Sequence, residues 1–386
     1  MKSISLRLVV MALACAAAAL VISKVRVQAV AAPQEKTVEQ VQKNIKVLTG
    51  MPQSQLIPVM NYFAASMGRR CNFCHVNNQG QWDYASDAKP EKDQAREMIK
   101  MVLDTNKNYF KGILEVSCYT CHRGVNHPLS VPVLPIARPS PQPGGAGGGA
   151  NTPGAQPQAS PTPRPSPPAP EALINKYVEA IGGQAAIDKI KSRTMKGTVA
   201  LAMGATGTYE TIQSMDKGYE LFTTSFGTLE RGVTGNGGWE KTPQGLHELT
   251  GQQLADAKFQ MLLLSSLKLK DQYASLRFAG RDKINDRNVL IVLGTTPDKK
   301  RERLFFDAEN GLLLRRISYL ETMIGVIPQQ IDFEDYRDVE GVKLPFTIRV
   351  SSTDSGNPFI VRTLTEIKLN GPADESKFNM PAATKP

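Results

Sequence analysis

The sequence of 386 residues has few of the side chains that carry most metal and redox chemistry: four histidines, five cysteines and two tryptophans. Residues 171–386 contain no cysteine and no recognisable catalytic constellation. Charge of one sign is not concentrated either, because the net charge of +10 divides into +4 for residues 1–32, +3 for 33–131, +2 for 132–170 and +1 for 171–386. Since electrostatic binding of nucleic acid needs clustered Lys and Arg, this spread argues against a nucleic-acid partner.

The N-terminus lacks a hydrophobic run of the length that an ordinary membrane-spanning helix needs. The apolar run from Leu8 to Ile22 is shorter than the roughly 20 residues that a bilayer requires. It follows a short basic start and precedes small residues at 27–32, which predicts an export signal over residues 1–32 and a periplasmic mature protein. An uncleaved N-terminal anchor and lipidation at Cys15 are the alternatives.

Residues 132–170 contain no acidic residue and no aromatic ring, but they hold 13 of the 26 prolines together with the stretch GGAGGGA. Such a segment cannot bury enough apolar surface to offset the entropy of ordering, so it predicts a disordered linker. The linker separates residues 36–131, which hold every cysteine except Cys15, from residues 171–386. We therefore expect two folded domains.

The periodicity of apolar residues differs between the two domains. In the first, a 3.6-residue period predicts a helix capped by Ser54 and ended by Gly68, and a second helix that begins at Pro90. In the second, a short helix over 171–181 precedes many strand-like runs, with Asn310-Gly311 as a hairpin signal. These patterns predict a multidomain protein: an all-α domain, a linker and a mainly antiparallel β (α+β) domain.

Two pentapeptides carry the chemistry, and their cofactor-binding cysteines are Cys71, Cys74, Cys118 and Cys121. The segments Cys71-Asn72-Phe73-Cys74-His75 and Cys118-Tyr119-Thr120-Cys121-His122 are both C-x-x-C-H. Two thiols three positions apart can form thioethers with the two vinyl groups of one porphyrin, and the following His is then held under the iron. The spacing therefore predicts two covalently bound haem c groups, with His75 and His122 as proximal ligands.

A zinc site, a pair of disulfides and thiol redox chemistry are the alternatives for the four cysteines. Each explains the cysteines, but none explains why a His directly follows both pairs. The 43 residues between Cys74 and Cys118 are also a long spacing for a zinc module.

The stretches NIKVLTGMPQSQLIPVMNYFAASMGRRCNFCHV, SDAKPEKDQAREMIKMV and CYTCHRG resemble the cytochrome c subunit of photosynthetic reaction centres. The resemblance covers about residues 40–128. The subunit of that family holds four haems, whereas this chain has two motifs. The resemblance implies an all-helical haem pair with Met as the usual sixth ligand, and a Met/His pair raises the reduction potential relative to His/His.

We expect Met60 and Met98 to be the sixth ligands. Met60 lies 11 residues before Cys71 on an apolar stripe, whereas Met67 has little chain with which to fold back. Met98 is expected to share a helix face with Ile99 and Val102, with Met101 at its edge, and the family's A-R-x-M segment also selects Met98. The sequence gives weaker support for other candidates. His127 and His247 are the other candidate ligands, and the candidate haem contacts are Trp82, Tyr84, Phe110, Arg69, Arg70 and Arg123.

The stretch DYRDVEGVKLPFTIRV and the strand-rich pattern around it resemble the periplasmic lipoprotein-carrier fold, a curved antiparallel sheet that wraps over helices and holds an acyl chain. The resemblance implies a binding or docking module, possible occupants being an apolar ligand or another protein. A domain that only adds stability or spacing is the other interpretation.

These observations together predict electron transfer by a dihaem c-type cytochrome in the periplasm. Its partners are a redox donor and acceptor, with a membrane complex among the candidates. A dihaem peroxidase-like enzyme is the first alternative, and it requires one iron with an open sixth position. A ligand- or lipid-binding protein with accessory haems is the second.

Overall fold

The computed structural model describes residues 35–79, 81–131, 167–201, 204–225, 227–243, 245–263, 267–351 and 360–382. The predicted export signal at 1–32 and almost all of the predicted linker lie outside the described residues. Among the residues that are described, we find no helix that is both long enough and apolar enough to cross a membrane.

The region before the linker is mainly helical, as predicted. Its helices are α1 (Val38–Val41), α2 (Leu56–Met67), α3 (Pro90–Tyr109) and α4 (Cys118–His122). Two short 3₁₀ turns (Gln53–Gln55 and Cys71–Phe73) accompany them. The loop before α3 forms a two-stranded antiparallel hairpin of β1 (Val76–Asn78) and β2 (Gln81–Asp83), so the region is not strictly all-α.

The two predicted helices are present with one difference in capping. Pro90 is the first residue of α3, as predicted, because its fixed φ suits that position and its missing N–H would be unpaired there anyway. Gly68 ends α2 with a φ of 61°. Ser54 does not cap α2, whose N-cap is Gln55; instead Ser54 donates its backbone N–H to the Glu35 carboxylate at 2.7 Å.

The region after the linker is built on one antiparallel sheet of 13 strands. They are β3 (Ser192–Leu201), β4 (Thr206–Ser214), β5 (Gly218–Thr224), β6 (Gly227–Val233), β7 (Gly238–Thr242), β8 (Gly245–Leu249), β9 (Ser275–Ile284), β10 (Arg287–Thr295), β11 (Arg301–Asp307), β12 (Leu313–Thr322), β13 (Gly325–Val339), β14 (Val342–Ser351) and β15 (Ile360–Leu369). The spatial order runs from β8 back to β3, then to β15, and from β15 back to β9. The first and last strands therefore pair at the centre of the sheet.

The helices of the described residues that accompany the sheet include α5 (Pro170–Ala180), α6 (Gln184–Ile187) and α7 (Gly251–Met261). Ile174 and Ile181 are fully buried in its main core together with Leu304 and Phe306. On the strands, Ile212 and Trp239 pack with Phe378 from a terminal 3₁₀ turn in a separate cluster. The sheet thus combines with helices in the α+β arrangement predicted for this region.

The Asn310-Gly311 hairpin predicted from the sequence is present between β11 and β12. Its loop is longer than a two-residue turn, because Phe306 pairs with Leu313. Gly311 has a φ of 79°, and its N–H donates to the Asp307 carbonyl. A glycine is favoured there because only glycine adopts this backbone conformation without strain.

The core of the helical region is completed by two residues of the sheet. Val59, Tyr62 and Ile99 are buried in one cluster with Ile324 and Ile327, which lie at the tip of the β12–β13 hairpin. The division into domains at 36–131 and 171–386 stays a prediction, but the two regions pack against each other in this structure.

Two cavities in the sheet region bear on the predicted apolar ligand. One of about 20 Å³ lies beside Ile187, Leu263 and Leu267, and this volume corresponds to about one water molecule. Another of about 350 Å³ beside Glu230 and Lys241 opens to solvent between polar side chains. Neither of the two is an enclosed apolar pocket that would hold an acyl chain.

Candidate haem sites

The first C-x-x-C-H segment folds as a single tight turn. The Cys71 carbonyl accepts hydrogen bonds from the N–H groups of Cys74 and His75, at 3.3 and 3.0 Å. The turn brings both thiols and the imidazole onto one short element, with Cys71 exposed and Cys74 half-buried. This is the compact presentation that attachment to a single porphyrin requires.

The imidazole of His75 lies against the aromatic residues that follow it. Its ring centroid is 5.2 Å from that of Tyr84 in an edge contact, and Trp82 stacks on Tyr84 at 5.4 Å. Burial, and secondly the charge of Lys92, lowers the pKa of His75. Its Nδ1 is buried and has no hydrogen-bond partner in the structure. A neutral imidazole is the form that binds a metal ion.

The second segment forms α4 and is capped by a residue that the motif does not include. Ser117 is the N-cap, and its N–H donates to the Thr120 hydroxyl at 3.0 Å. The helix ends where Arg123 adopts a φ of 48°. The turn that follows brings the Val125 carbonyl to 3.0 Å from Nδ1 of His122.

The contact between His122 and Val125 determines which ring nitrogen is free to bind metal. A carbonyl oxygen can only accept, so Nδ1 of His122 carries the proton and Nε2 carries the lone pair. Such a backbone acceptor is the usual partner that orients a metal-ligating imidazole. His122 is therefore prepared to bind iron through Nε2.

The two partly buried thiols are protonated in this structure. Burial raises the pKa of Cys118 to about 11 and also raises that of Cys74. The four thiols of the described region are also unpaired, so the structure contains no disulfide between them.

The described residues contain no group of three or more His, Cys, Asp or Glu side chains placed to hold a metal ion. In the sequence, each of the two pairs of thiols is followed by its own His.

Met60 lies on α2, half-buried against the core cluster that also includes Cys118 of the second motif. Helix α2 packs against α4, and Gly68 at its end closely approaches Gly124 after the second motif. Met67 is half-buried near the end of the same helix. The role of Met60 as a ligand stays a prediction.

Ile99 and Val102 of α3 are buried as expected, whereas Met98 and Met101 are 39% and 48% exposed. The role of Met98 as a ligand stays a prediction. The buried face of α3 also includes polar residues, which the apolar pattern did not predict. Arg96 is buried through ion pairs with Asp87 and Asp93, and Asn106 through hydrogen bonds to residues 115–116.

The remaining candidates have ordinary surroundings. Arg69 lies over the Phe73 ring at 5.1 Å, and the Arg123 Nε donates to the Thr120 carbonyl at 3.3 Å. His127 is exposed beside Asn126, and His247 lies in the sheet region, 3.3 Å from Glu240. None of these contacts points to an iron ligand.

Exposed apolar side chains are more frequent before the linker than in the sheet region. Of the 16 large hydrophobic residues that are exposed in the described part of the chain, 13 lie between residues 35 and 131. Among them, Tyr84 contacts the His75 ring and Tyr119 lies within the second motif. These two side chains provide apolar surface that fits a macrocycle attached at their motif.

Comparison with known proteins agrees with these sites. Residues 12–181 match the family model described as photosynthetic reaction centre cytochrome C subunit. The resemblance predicted from the motifs is confirmed. Cytochrome c-554 of Chloroflexus aurantiacus is 35% identical over 86 residues, which are 20% of this chain and 20% of that protein. The photosynthetic reaction center cytochrome c subunit of Rubrivivax gelatinosus is 30% identical over 87 residues, 18% of this chain and 23% of that protein.

The chain spans about a fifth of the length of these reaction-centre cytochrome relatives. Among solved structures, it is similar to a LolA superfamily protein from Nitrosomonas europaea, with 13% identity and a TM-score of 0.39 over 54% of this chain and 97% of that one.

Sequence reasoning missed residues that position the motifs rather than form them. The Tyr62 hydroxyl accepts from the Tyr119 N–H at 3.4 Å, and the Val125 carbonyl orients His122. A capping signal was available for Ser117, because Ser is itself a favoured N-cap residue. The other two contacts depend on the fold and leave no local signal.

Proposed function

We propose that the region before the linker is a dihaem c-type cytochrome that transfers electrons between redox proteins in the periplasm. The observation that supports this proposal most is the folding of both C-x-x-C-H segments as single turns, each with an imidazole suited to metal binding. Haem supplies an iron that cycles between Fe(II) and Fe(III). The chain's own residues attach it, provide axial ligands and shield it from water.

Each residue has a distinct part in this proposal. Cys71 with Cys74, and Cys118 with Cys121, form the thioether bonds. His75 and His122 are the proximal ligands, and Met60 and Met98 are the proposed sixth ligands. The aromatic residues Trp82 and Tyr84 restrict the His75 ring, and the Val125 carbonyl fixes the tautomer of His122. Rigid ligands favour fast electron transfer because little reorganises when the iron changes charge.

The relatives also suggest where the protein works. Reaction-centre cytochrome subunits are named for a membrane complex, so we propose a membrane redox complex as one partner and a second redox protein as the other. Export by the leader at 1–32 is consistent with a periplasmic site, where haem is attached to such motifs. We assign the chain no catalytic residues.

The experiment that tests the proposal is the denatured mass of protein produced in a host with c-haem maturation. We expect the polypeptide plus two haem groups after extraction in acid acetone, because thioether-bound haem stays attached. A Cys71→Ser/Cys74→Ser variant should carry one haem, as should Cys118→Ser/Cys121→Ser. A bare polypeptide mass, or stoichiometric zinc, contradicts the proposal.

A further inference from the structure

The tip of the β12–β13 hairpin has an unusual sequence for its position. Thr322 pairs with Gly325, so Met323 and Ile324 form a two-residue loop. Such loops are normally Asn, Asp or Gly, because they face solvent and need a positive φ. Ile324 is instead fully buried. The Thr322 hydroxyl stabilises the turn by donating to the Gly325 carbonyl at 2.7 Å.

The tip is buried by the helical region, far away in the sequence. Ile324 and Ile327 are fully buried in the cluster that contains Val59 of α2 and Ile99 of α3. Met323 also packs against this cluster. Without the helical region, this apolar hairpin tip would expose a hydrophobic patch to solvent. The contact with the helices is therefore an integral part of the fold.

The same tip lies beside the second haem-attachment helix. A Cβ built on Gly325 would be 3.4 Å from the Ser117 Cβ and 3.4 Å from the Tyr62 hydroxyl. That hydroxyl accepts from the Tyr119 N–H within the motif, and Ser117 is the N-cap of α4. At the start of α2, Gln55 donates to the Glu321 carbonyl at 3.3 Å. The hairpin thus contacts the start and the middle of α2 and the start of α4.

We propose that the Met323–Ile324 tip is a docking element by which the sheet region holds α2 against α4 and so sets the surroundings of the haem attached at Cys118 and Cys121. The part of this inference that concerns haem rests on the proposed function. The partner that the tip fits is the helical region of the same chain. Removal of the tip admits water beside α4, and solvent exposure is one of the factors that set a haem potential.

The first test measures docking without reference to haem. A protease site is inserted in the GGAGGGA stretch of the full-length protein, which is cleaved and passed through a size-exclusion column. We expect the two wild-type fragments to elute together and those of Ile324→Asp to separate. Ile324→Ala should separate only on dilution. Val326→Asp is the matched control, because Val326 is close by but 47% exposed, and its fragments should stay together.

Separation of the wild-type fragments would overturn the proposal, and so would co-elution of the Ile324→Asp fragments. Circular dichroism of each separated fragment distinguishes loss of docking from loss of folding, and an unfolded sheet fragment in Ile324→Asp also counts against a role confined to docking. Since elution does not depend on haem, a protein without haem would contradict the proposed function and leave this result intact.

The second test measures the effect on the second haem. In the Cys71→Ser/Cys74→Ser background only the second motif can hold haem, so a single midpoint potential is read. We expect Ile324→Asp to shift that potential downward and Val326→Asp to leave it unchanged. Tyr62→Phe keeps the ring and removes the acceptor of the Tyr119 N–H, and we expect a smaller shift in the same direction. Equal potentials for wild type, Ile324→Asp and Tyr62→Phe would contradict a positioning role.

Discussion

The residues around each motif differ in how strongly the sequence determines their roles. The cysteines and histidines follow from the C-x-x-C-H spacing alone. The tautomer of His122 does not, because it depends on a carbonyl that the turn after α4 brings to Nδ1. The burial of Arg96 on α3 does not follow from the sequence either, because it depends on an ion pair with Asp87, which lies outside the helix. Apolar periodicity cannot detect a buried cation whose partners lie elsewhere in the chain.

The sixth ligand near the first motif can be tested by truncation of its side chain. We expect Met60→Ala to lower one reduction potential and to let that haem bind carbon monoxide, because loss of a thioether ligand opens the iron. Met67→Ala, which truncates the other methionine of α2, should leave both haems six-coordinate. Absorption spectra of the reduced protein with carbon monoxide, together with a redox titration, check both outcomes.

The two methionines of α3 are compared in the same way. We predict that Met98→Ala lowers one potential and lets one haem bind carbon monoxide, whereas Met101→Ala does neither. Both side chains are exposed in the structure, so either is free to contact a bound group. If only the Met101 variant opens a haem, the choice of Met98 is wrong.

At the scale of elements, the two long helices were largely predictable and most strands of the sheet's first half were not. Pro90 and Gly68 mark helix ends through backbone chemistry that operates locally. The strands β5 to β8 are short and contain several glycines, so their pairing depends on neighbours rather than on their own pattern. Two contacts between elements, one at the end of α2 and one before α3, can be tested by substitution.

The close approach at the end of α2 predicts a severe effect of Gly68→Ala. The φ of 61° strains any side chain, and the new Cβ would lie 2.1 Å from the Gly124 carbonyl oxygen. We expect a loss of about 2–4 kcal/mol in the free energy of unfolding, from strain and forced backbone movement together. Gly50→Ala is the control, because Gly50 has a φ of 80° with open space around it and should lose only about 1 kcal/mol. Urea denaturation measures both, and equal losses would show that the Gly124 contact is unimportant.

The segment before α3 predicts a dependence of stability on pH. Hydrogen bonds from Lys46 and then Arg96 hold the pKa of Asp87 well below its usual range. A carboxylate with a lowered folded-state pKa stabilises the fold above its unfolded pKa of about 3.9, and this contribution is lost as pH falls through the folded value. Asp87→Asn should therefore lower the melting temperature at pH 7, with a difference from wild type that shrinks in strong acid.

Glu97→Gln is the control for Asp87, because the Glu97–Lys100 pair is exposed on the surface of α3. Exposed pairs of this kind contribute little to stability, so its melting curve should follow that of the wild type. Thermal melting by circular dichroism at several pH values provides the comparison. A constant difference for Asp87→Asn at every pH would mean that the asparagine acts through packing and not through charge.

At the scale of the whole molecule, the sequence predicted two regions and a linker but not their contact. The tip at Met323–Ile324 and the helices that cover it are more than 200 residues apart in the sequence. No local pattern reports such a pairing. The only available signal was an apolar pair where a hairpin turn normally has polar residues. This signal appears only when the strand register is known.

We predict that residues 171–386 fold without haem when they are expressed alone. The main core of the sheet is formed by its own strands and helices, so circular dichroism should show β structure and a cooperative melt. The fragment should self-associate more than the same fragment with Ile324→Asp, because its hairpin tip has lost its cover. A fragment without a cooperative transition would indicate that the helical region is needed to complete the core.

The pairing of β3 with β15 affects how the sheet can be assembled as the chain is synthesised. Strands β3–β8 form a contiguous half, and β9–β14 form the other, but β15 is the strand that joins the two. The halves cannot merge until residues 360–369 have emerged. A chain that stops before Ile360 would keep two separate six-stranded sheets, and each would present a newly unpaired edge to neighbouring chains. Truncation near the C-terminus should therefore cause aggregation out of proportion to the few residues removed.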